Sequence, residues 1–341
     1  METLSASKIK TLEGCTWIYW ANYHLKLPQT QNDGARMGSI CHSIFEFLIK
    51  EKRKKYFDII IKHNSVDSIP SIKRLIDTYI RKSGLIYSEE VKKKIYDMIL
   101  VGLKSDFYVK GCELIEPELA FDIVNENPKY HLKGFIDKPF KNKQEVIIDD
   151  YKSSKKQFEG SEKESNTQAL LYSLASKKLW PELKPRVRFI FLQFPENPIM
   201  ELEFSEDTLS GFEAYLSKIQ KQVNNFDVID AYTHFAADHT PPKGEFKGRL
   251  MCGFAKSPGQ KKKDGTNMWV CSFKFPFIYY SVIKENGEIA YSSFDKNKIK
   301  LKSGETIKEL FYEGCPRFRN VINNSKIQKA VVYNKKEDID F

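Results

Sequence analysis

The chain has 341 residues, of which 41% are hydrophobic, and its formal net charge is +10. This length suits one large domain or two modest ones, and the composition supports an ordinary apolar core. No run of about 18 apolar residues is present, and the N-terminus lacks an apolar signal region, so neither a membrane span nor a secretory signal is expected. The six cysteines have no regular spacing, which argues against a disulfide framework and indicates a reducing, intracellular setting.

The first third of the chain is predicted to be helical. Ser5 or Ser7 can cap a first helix that extends to about Leu25. A second helix is expected from about Gly34, because apolar residues then recur at helical spacing. Residues 55–110 contain two amphipathic segments and are expected to form a helical insertion.

From residue 112 the pattern changes to strands. Three strands are predicted in succession: CELIEPELAFDIV, interrupted by Pro117, then YHLKGFIDKPF, then EVIIDDYKSS. A helix is expected from about Asn166 to Leu179, followed by the strand RVRFIFLQF, a short strand at MELEF and a helix from Glu206. Strands that alternate with helices in this order predict a mixed α/β core.

The C-terminal part, residues 231–341, is predicted to be a basic, aromatic-rich extension. It contains a hairpin with Asn-Gly at the turn. Residues 241–341 carry 20 Lys and Arg against 11 Asp and Glu, so nearly the whole positive excess of the chain lies there. Such a segment suits the phosphate backbone of a nucleic acid. The alternative is a basic segment that only keeps the chain in solution.

Lysines beside aromatic residues could hold a nucleic acid in this extension. Phe273 and Phe275 could stack on unpaired bases, or they could simply pack within a hairpin. The residues predicted to contact DNA are Lys261, Lys262, Lys263 and Trp269.

Two carboxylates and a lysine lie at the end of the second and third predicted strands. Side chains alternate along a strand, so Asp150 and Lys152 share one face, while Asp149 and Tyr151 share the other. With Asp137, these groups suit a Mg²⁺ ion beside a scissile phosphate, because the ion prefers oxygen ligands and acidifies a bound water. The lysine can orient that water or stabilise the developing oxyanion. An isolated D-x-K is more often a pair of solvated charges, so the interpretation depends on further residues.

Two helices add polar residues at a spacing of four. Gly38, His42 and Glu46 share one face of the second helix, where His42 is either a metal ligand or a core histidine. Gln168 and Tyr172 lie four apart on the later helix. The glutamine can hydrogen-bond a water, the lysine or a phosphate, with the tyrosine in support; otherwise both belong to an ordinary helix boundary.

The order of these motifs resembles the RecB-like branch of the PD-(D/E)XK nuclease superfamily. The pattern is G-x-x-x-H on a helix, G-x-x-D on a strand, D-x-K on the next strand, and Q-x-x-x-Y on a helix. An opening helix with an early Ser and a Cys before aromatic residues also fits. The resemblance covers about residues 5–205. It implies a restriction-endonuclease-like core in residues 1–230, with a mixed central sheet flanked by helices and the helical insertion within it.

The resemblance implies a role for each motif residue. The metal ligands that it implies are His42, Asp137 and Asp150, with Glu118 on the first strand as a further metal or water contact. The catalytic residues that it implies are Asp137, Asp150, Lys152, Gln168 and Tyr172. The lysine would assist the attacking water, and the expected cofactor is Mg²⁺ or Mn²⁺.

The activity that the resemblance implies is hydrolysis of DNA, single- or double-stranded, by a metal-dependent nuclease. The protein would act as an exonuclease in recombination, repair or replication, in the cytoplasm of a bacterial or phage-infected cell. No G-x-x-x-x-G-K-[ST] motif is present, so any helicase would be a separate partner, as would a single-strand annealing protein. No membrane partner is expected. The alternatives are a Cas4-like iron–sulfur nuclease and a catalytically inert nucleic-acid-binding module, against which the intact D-x-K, Asp137 and His42 argue.

The cysteines leave one question open. Several members of the branch hold a 4Fe–4S cluster with one early Cys and three late ones, two of them in a C-x-x-C pair. Cys15 occupies the early position, but the late cysteines, Cys252, Cys271 and Cys315, include no C-x-x-C. Distant ligands can converge on a cluster or on zinc. The spacing nevertheless favours free cysteines.

Overall fold

The computed structural model describes residues 1–236, residue 252 and residues 270–319. The chain divides into two compact units. The first unit comprises Met1–Ile9 and Gln31–Asn224, and the second comprises Lys10–Thr30 and Asn225–Phe341. The second unit thus takes a segment from the N-terminal part of the chain. The predicted division near residue 230 into a nuclease core and an extension stays a prediction.

Four helices open the first unit after residue 31, and they confirm the predicted helical region. They follow α1 (Ala6–Gly14) and α2 (Thr16–Tyr19) in the chain, and they are α3 (Asp33–Ile49), α4 (Lys54–His63), α5 (Pro70–Ser83) and α6 (Glu89–Lys104). Asn32 begins α3, because its side chain accepts a hydrogen bond from the Ala35 amide at 2.8 Å. Ile72, Ile76 and Ile80 recur at helical spacing on α5 and are buried against the other helices.

The central sheet has five strands in the order β1-β4-β5-β6-β7. Their bounds are β1 (Glu113–Leu114), β4 (Lys138–Lys141), β5 (Glu145–Lys152), β6 (Lys184–Phe191) and β7 (Ile199–Leu202). Strands β5 and β6 are parallel, connected through α7 (Ser161–Glu164) and α8 (Thr167–Leu179), and the other pairs are antiparallel. Residues 146–151 of β5 are all buried, as in a strand covered on both faces. This mixed sheet flanked by helices confirms the predicted α/β, restriction-endonuclease-like fold.

The first two predicted strands are each divided in two. Strands β2 (Leu119–Glu126) and β3 (Lys129–Ile136) form a separate two-stranded sheet, so CELIEPELAFDIV breaks at Pro117–Glu118 and YHLKGFIDKPF breaks at Asp137. Pro117 lacks an amide proton, and Glu118 has a left-handed φ of 55°, which ends the extended run. The Glu118 amide donates to the Asp137 carbonyl at 2.8 Å, so both breaks lie side by side.

The rest of the first unit is a helix that packs on the two-stranded sheet. Helix α9 (Glu206–Asn224) follows β7, as predicted. Its Gln220 accepts a hydrogen bond from the His131 amide at 2.9 Å, and its Glu213 accepts one from the Tyr130 hydroxyl at 2.5 Å. These contacts hold β3 against α9.

The second unit contains short helices and a three-stranded sheet. The predicted helix up to Leu25 is interrupted. Helix α1 (Ala6–Gly14), which begins in the first unit and ends in the second, stops before Cys15, whose backbone is extended. Helix α2 (Thr16–Tyr19) then continues as a π-helical turn, Trp20–His24. After α10 (Val228–Thr233), the sheet has the order β10-β8-β9, with β8 (Phe277–Ile283), β9 (Ile289–Ser293) and β10 (Thr306–Tyr312). The β8–β9 hairpin confirms the predicted Asn-Gly turn, in which Gly287 has a φ of 82°. Among the described residues, no helix has the length and apolarity to cross a bilayer.

Candidate active site

Strand β5 carries the D-x-K motif with its two side chains on one face. Asp150 Oδ2 lies 2.5 Å from Lys152 Nζ, and the Asp150 side chain is almost wholly buried. Burial raises the pKa of Asp150, and Asp137 adds to the rise, whereas Lys152 opposes it. An ionised Asp150 therefore depends on a cation beside it.

Helix α8 completes a hydrogen-bond network around this pair. Gln168 accepts from Lys152 Nζ through Oε1 at 2.7 Å and donates to Asp150 Oδ1 through Nε2 at 2.7 Å. The Tyr172 hydroxyl donates to the same Asp150 oxygen at 3.2 Å. Because Gln168 and Tyr172 lie four residues apart on one helix face, they can together hold the Asp150 carboxylate, and Gln168 also holds the Lys152 ammonium.

His42 reaches the end of β5 from α3. Its Nε2 lies 3.0 Å from the Tyr151 carbonyl oxygen, which can only accept, so Nε2 carries a proton. The remaining nitrogen, Nδ1, lies 3.2 Å from Asp137 Oδ2. In the neutral ring, Nδ1 is therefore the atom with a lone pair for a metal ion.

Gly38 allows this close approach of α3 to β5. A Cβ at Gly38 would lie 2.5 Å from Ser153 Oγ, immediately after the end of the strand. With any larger residue, either the Ser153 side chain must move or the helix and the strand must separate. The glycine of the G-x-x-x-H motif therefore determines how close His42 lies to β5.

Three candidate metal ligands converge beside this histidine. Ligand atoms of His42, Glu118 and Asp137 lie within 4.8 Å of one another. Asp137 Oδ2 is buried and has no well-aligned hydrogen-bond donor, although the imidazole is close. Two carboxylates, one imidazole and a buried carboxylate oxygen without a donor fit a hard divalent cation such as Mg²⁺ or Mn²⁺. Asp150 is adjacent to this group but outside it.

The charges of the group shift the pKa of its members. Burial raises the pKa of Glu118, and the charge of Asp137 raises it further. Burial by itself would lower the pKa of His42, but Asp137 and Asp150 outweigh burial, and the pKa rises to about 9. The imidazolium thus compensates the carboxylates in the metal-free protein.

A small pocket opens beside the three ligands. Besides them it is lined by Phe45, Glu46, Ile49, Pro117, Lys138 and Tyr151. Phe45 and Ile49 of α3 thus contribute apolar surface to a pocket that also holds the polar group. Such a pocket can limit the access of water to the ligands.

The structure brings together every residue that the motifs predicted for this site in the first unit. They are His42, Glu118, Asp137, Asp150, Lys152, Gln168 and Tyr172. Their chemical roles stay predictions. The predicted DNA contacts Lys261, Lys262, Lys263 and Trp269 lie outside the described residues. Phe273 is 2% exposed, which agrees with packing within the second unit rather than with base stacking.

The motifs missed a set of buried charges on the opposite face of β5. Asp149 accepts from Arg188 Nε at 2.7 Å and from Arg188 Nη2 at 2.9 Å, and it lies 3.1 Å from Lys138 Nζ. The available signal was an arginine within the apolar strand RVRFIF, since a charge there needs a buried partner.

In the second unit, Tyr312 connects the segments that carry Cys15 and Cys271. Trp17 Nε1 donates to the Tyr312 hydroxyl at 2.6 Å, and that hydroxyl donates to the Phe273 carbonyl at 2.9 Å. The Lys274 amide donates to the Cys271 carbonyl, and the Cys315 amide donates to the Lys274 carbonyl. Burial raises the pKa of Cys271 to about 12 and that of Cys315 to about 11, and other thiols add to both. The thiols that raise the pKa of Cys271 are Cys15, Cys252 and Cys315.

Comparison with known proteins identifies the family. The pattern of the PD-(D/E)XK nuclease superfamily matches residues 3–254. Among solved structures, one match is a crystal structure from Eubacterium rectale, described as a candidate exonuclease. It is 10% identical, with a TM-score of 0.45, over 65% of this chain and 80% of the other. No curated protein matches the chain. Since the superfamily pattern covers most of the sequence and the motif residues meet in one site, the chain belongs to the PD-(D/E)XK nuclease superfamily.

Proposed function

We propose that the protein is a divalent-cation-dependent deoxyribonuclease that hydrolyses phosphodiester bonds, most simply as an exonuclease. The observation that carries the proposal is the convergence of His42, Glu118 and Asp137 beside the Asp150–Lys152 pair. A nuclease needs a cation site next to a group that can handle the attacking water, and these five residues offer both.

The proposed ligands are His42 through Nδ1, Asp137 and Glu118, with Asp150 at the edge of the group. When bound, Mg²⁺ or Mn²⁺ would lower the pKa of a water and offset charge on the scissile phosphate. His42 must then lose the proton on Nδ1, while its Nε2 remains fixed on the Tyr151 carbonyl. The two carboxylates would no longer repel each other across the site.

Lys152 is proposed to act on the water or the phosphate. Its ammonium is held by Asp150 and Gln168, so it needs little reorganisation to donate a further hydrogen bond to an oxygen. Gln168 and Tyr172 keep Asp150 from rotating away, because both donate to its Oδ1. These two helix residues therefore support the catalytic pair.

The choice of DNA and of exonuclease action is supported by the motif order, which resembles the RecB-like branch. The basic excess of residues 241–341 also suits a polyanionic substrate. Roles in recombination or repair, and partners such as a helicase or an annealing protein, follow from the same resemblance. Cleavage of RNA in place of DNA would show that the substrate is RNA.

The test is cleavage of end-labelled nucleic acids of several forms. Linear and circular DNA, each single- and double-stranded, and a matched RNA are incubated with Mg²⁺, Mn²⁺, Ca²⁺ or EDTA. We expect degradation of linear DNA with Mg²⁺ or Mn²⁺, none in EDTA, and little with Ca²⁺. Lys152→Ala should be inactive, whereas Lys156→Ala, an exposed lysine four residues later, should retain activity. Cleavage that persists in EDTA after dialysis would refute metal dependence, and cleavage of circles would replace exonuclease by endonuclease action.

A specific observation favours a second feature, namely a metal centre at the four cysteines. Cys271 and Cys315 are joined through the backbone of Lys274, and Cys15 lies two residues before Trp17 in the tyrosine-centred contact. The other thiols also act on the pKa of Cys271, which shows that the four cysteines interact, and four sulfur donors suit an iron–sulfur cluster or zinc. This would make the protein a Cas4-like nuclease, the alternative that the cysteine spacing alone did not favour.

The metal content of the purified protein tests this second feature. Protein prepared without oxygen is analysed for iron, sulfide and zinc and for visible absorbance. We expect one cluster or one zinc per chain, lost in Cys271→Ser and retained in Cys112→Ser, a cysteine of the first unit. If iron, sulfide and zinc are all below stoichiometric amounts, the four cysteines are free thiols. The nuclease proposal would not be affected by that result.

A further inference from the structure

Three buried charged residues, Lys138, Asp149 and Arg188, form what we call the rear charge network, on the face of β5 opposite the D-x-K pair. Asp149 is wholly buried and receives a two-pronged contact from Arg188, whose Nη1 also reaches Asp106 at 3.0 Å. Lys138 is 3% exposed and lies on the other side of the same carboxylate.

All three N–H bonds of Lys138 have a partner. Besides Asp149, Lys138 Nζ donates to the Tyr151 hydroxyl at 2.6 Å and to the Phe107 carbonyl at 2.9 Å. An ammonium has three donors, so the group is saturated and geometrically fixed. Burial lowers the pKa of Lys138 to about 8, and the charge of Asp149 opposes this change.

Stability alone does not account for such a network. Desolvation of buried ions is costly, and well-packed apolar residues of similar volume are often as stable or more stable. The network lies inside a sheet covered by helices, where apolar side chains are the default. A role in specifying geometry is therefore the better explanation.

The position of the network relates it to the candidate active site. Lys138 follows Asp137 directly, Asp149 precedes Asp150, and the carbonyl of Tyr151 binds His42. Lys138 is paired with Asp149 between β4 and β5, and Asp149 with Arg188 between β5 and β6. The network therefore connects β4, β5 and β6 at positions directly next to Asp137 and Asp150. A register slip of one residue would exchange the two faces.

We propose that the rear charge network is a positioning device that fixes Asp137, Asp150 and the His42-binding carbonyl before a cation binds. The inference rests on the proposed nuclease function of the front face. None of the three residues is proposed to contact the substrate: Lys138 also lines the pocket beside the ligands, but its ammonium is held by Asp149, Tyr151 and Phe107. Their contribution is the spacing of the ligands, so their loss should weaken cation binding and turnover more than folding.

The test uses an apolar replacement of the whole network, Lys138→Met/Asp149→Leu/Arg188→Met. Circular dichroism and thermal unfolding report folding, calorimetry reports Mn²⁺ binding without substrate, and kinetics separate kcat from KM. We expect a folded variant with Mn²⁺ affinity lowered about 10–100-fold, as for loss of groups that orient metal ligands. Its kcat should fall with little change in KM for DNA. Arg186→Met, two residues earlier on β6 and paired with Glu145, is the matched control and should bind Mn²⁺ normally.

A second variant covers the case in which the triple replacement does not fold. Tyr151→Phe removes one acceptor of Lys138 and keeps the carbonyl that binds His42. We expect a folded variant with a lower unfolding temperature, because one buried N–H of Lys138 loses its acceptor, and with a several-fold weaker Mn²⁺ affinity. Wild-type Mn²⁺ affinity and kcat in a folded triple variant, or in Tyr151→Phe if the triple is unfolded, would overturn the positioning role. If instead the unmodified protein neither binds Mn²⁺ nor cleaves DNA, the proposed function itself has failed.

Discussion

Gly38→Ala should move His42 without touching any ligand. The new Cβ would lie 2.5 Å from Ser153 Oγ and 3.1 Å from Ser153 Cβ, whereas ordinary contacts begin near 3.4 Å. If both atoms stay, α3 and β5 must separate by about 0.9 Å, the difference between 2.5 and 3.4 Å. If Oγ rotates away, its hydrogen bond to the Gly34 carbonyl is broken, and the Cβ contact still requires about 0.3 Å.

These displacements set the expected size of the effect. Overpacking typically costs about 1–3 kcal/mol of stability, and a misplacement of about 1 Å can lower a rate about 100-fold. We therefore expect Gly38→Ala to weaken Mn²⁺ binding and kcat by between a few-fold and about 100-fold. The assay is Mn²⁺ calorimetry together with DNA cleavage on the folded variant.

A compensating change makes this prediction specific. Ser153→Gly removes both clashing atoms, so Gly38→Ala/Ser153→Gly should recover most of the Mn²⁺ affinity. Gly38→Ala/Ser153→Ala retains the Cβ contact and should recover less. Ser153→Gly alone is the control for removal of the serine. Normal Mn²⁺ affinity and kcat in Gly38→Ala would show that the helix–strand distance does not set the site.

Three further predictions concern the ligands and the substrate. Asp150→Asn and Lys152→Ala should each lower cleavage about 10²–10³-fold or more while DNA binding and folding persist, and normal turnover of either purified variant would exclude its assigned role. Because the pKa of His42 is raised to about 9, its protonation stabilises the folded, metal-free protein fully below pH 6.5, and this stabilisation is lost as the pH rises through 9. The raised pKa of Glu118 likewise favours folding at lower pH. Since the cation must displace the His42 proton, the increase in unfolding temperature caused by Mn²⁺ should be larger at pH 8.5 than at pH 6, and an equal increase at both would contradict the assignment. Replacing lysines 261–263 by alanine should weaken DNA binding and make it less dependent on salt. Each phosphate contact that is lost should reduce the slope of log binding constant against log salt concentration by about 0.9 on duplex DNA or about 0.7 on single strands. Unchanged affinity and slope would mean that these lysines are only solvated.

Local patterns in the sequence predicted much of the candidate site. The alternation of β5 was sufficient to put Asp150 and Lys152 together, because strand geometry fixes the faces of adjacent residues. Helical spacing likewise placed Gln168 beside Tyr172. These relationships involve neighbours within one element, where the backbone determines the direction of each side chain.

Contacts between distant segments could not be predicted in the same way. Glu118 reaches Asp137 only because a left-handed residue ends one strand beside the break in another. Arg188 meets Asp149 through the parallel register of β5 and β6, which no local periodicity of the sequence indicates. The proximity of the segments that carry Cys15 and Cys271 depends on hydrogen bonds from Trp17 to Tyr312 and from Tyr312 to Phe273, which are far apart in the sequence.

The composition of the second unit has a consequence for the order in which the protein can assemble during translation. Residues 10–30 belong with residues after 225, so their partners leave the ribosome about 10–40 s later at ordinary rates of synthesis. Residues 31–224, which contain every ligand and catalytic candidate of the first unit, are complete in the meantime. Trp17, which is buried in the finished protein, packs on Tyr232 and donates to the Tyr312 hydroxyl, so these contacts can form only after residue 225 has been synthesised. A fragment that ends at residue 224 would lack both partners permanently, and aggregation of such a fragment would reflect the incomplete second unit rather than a defect in the nuclease sheet.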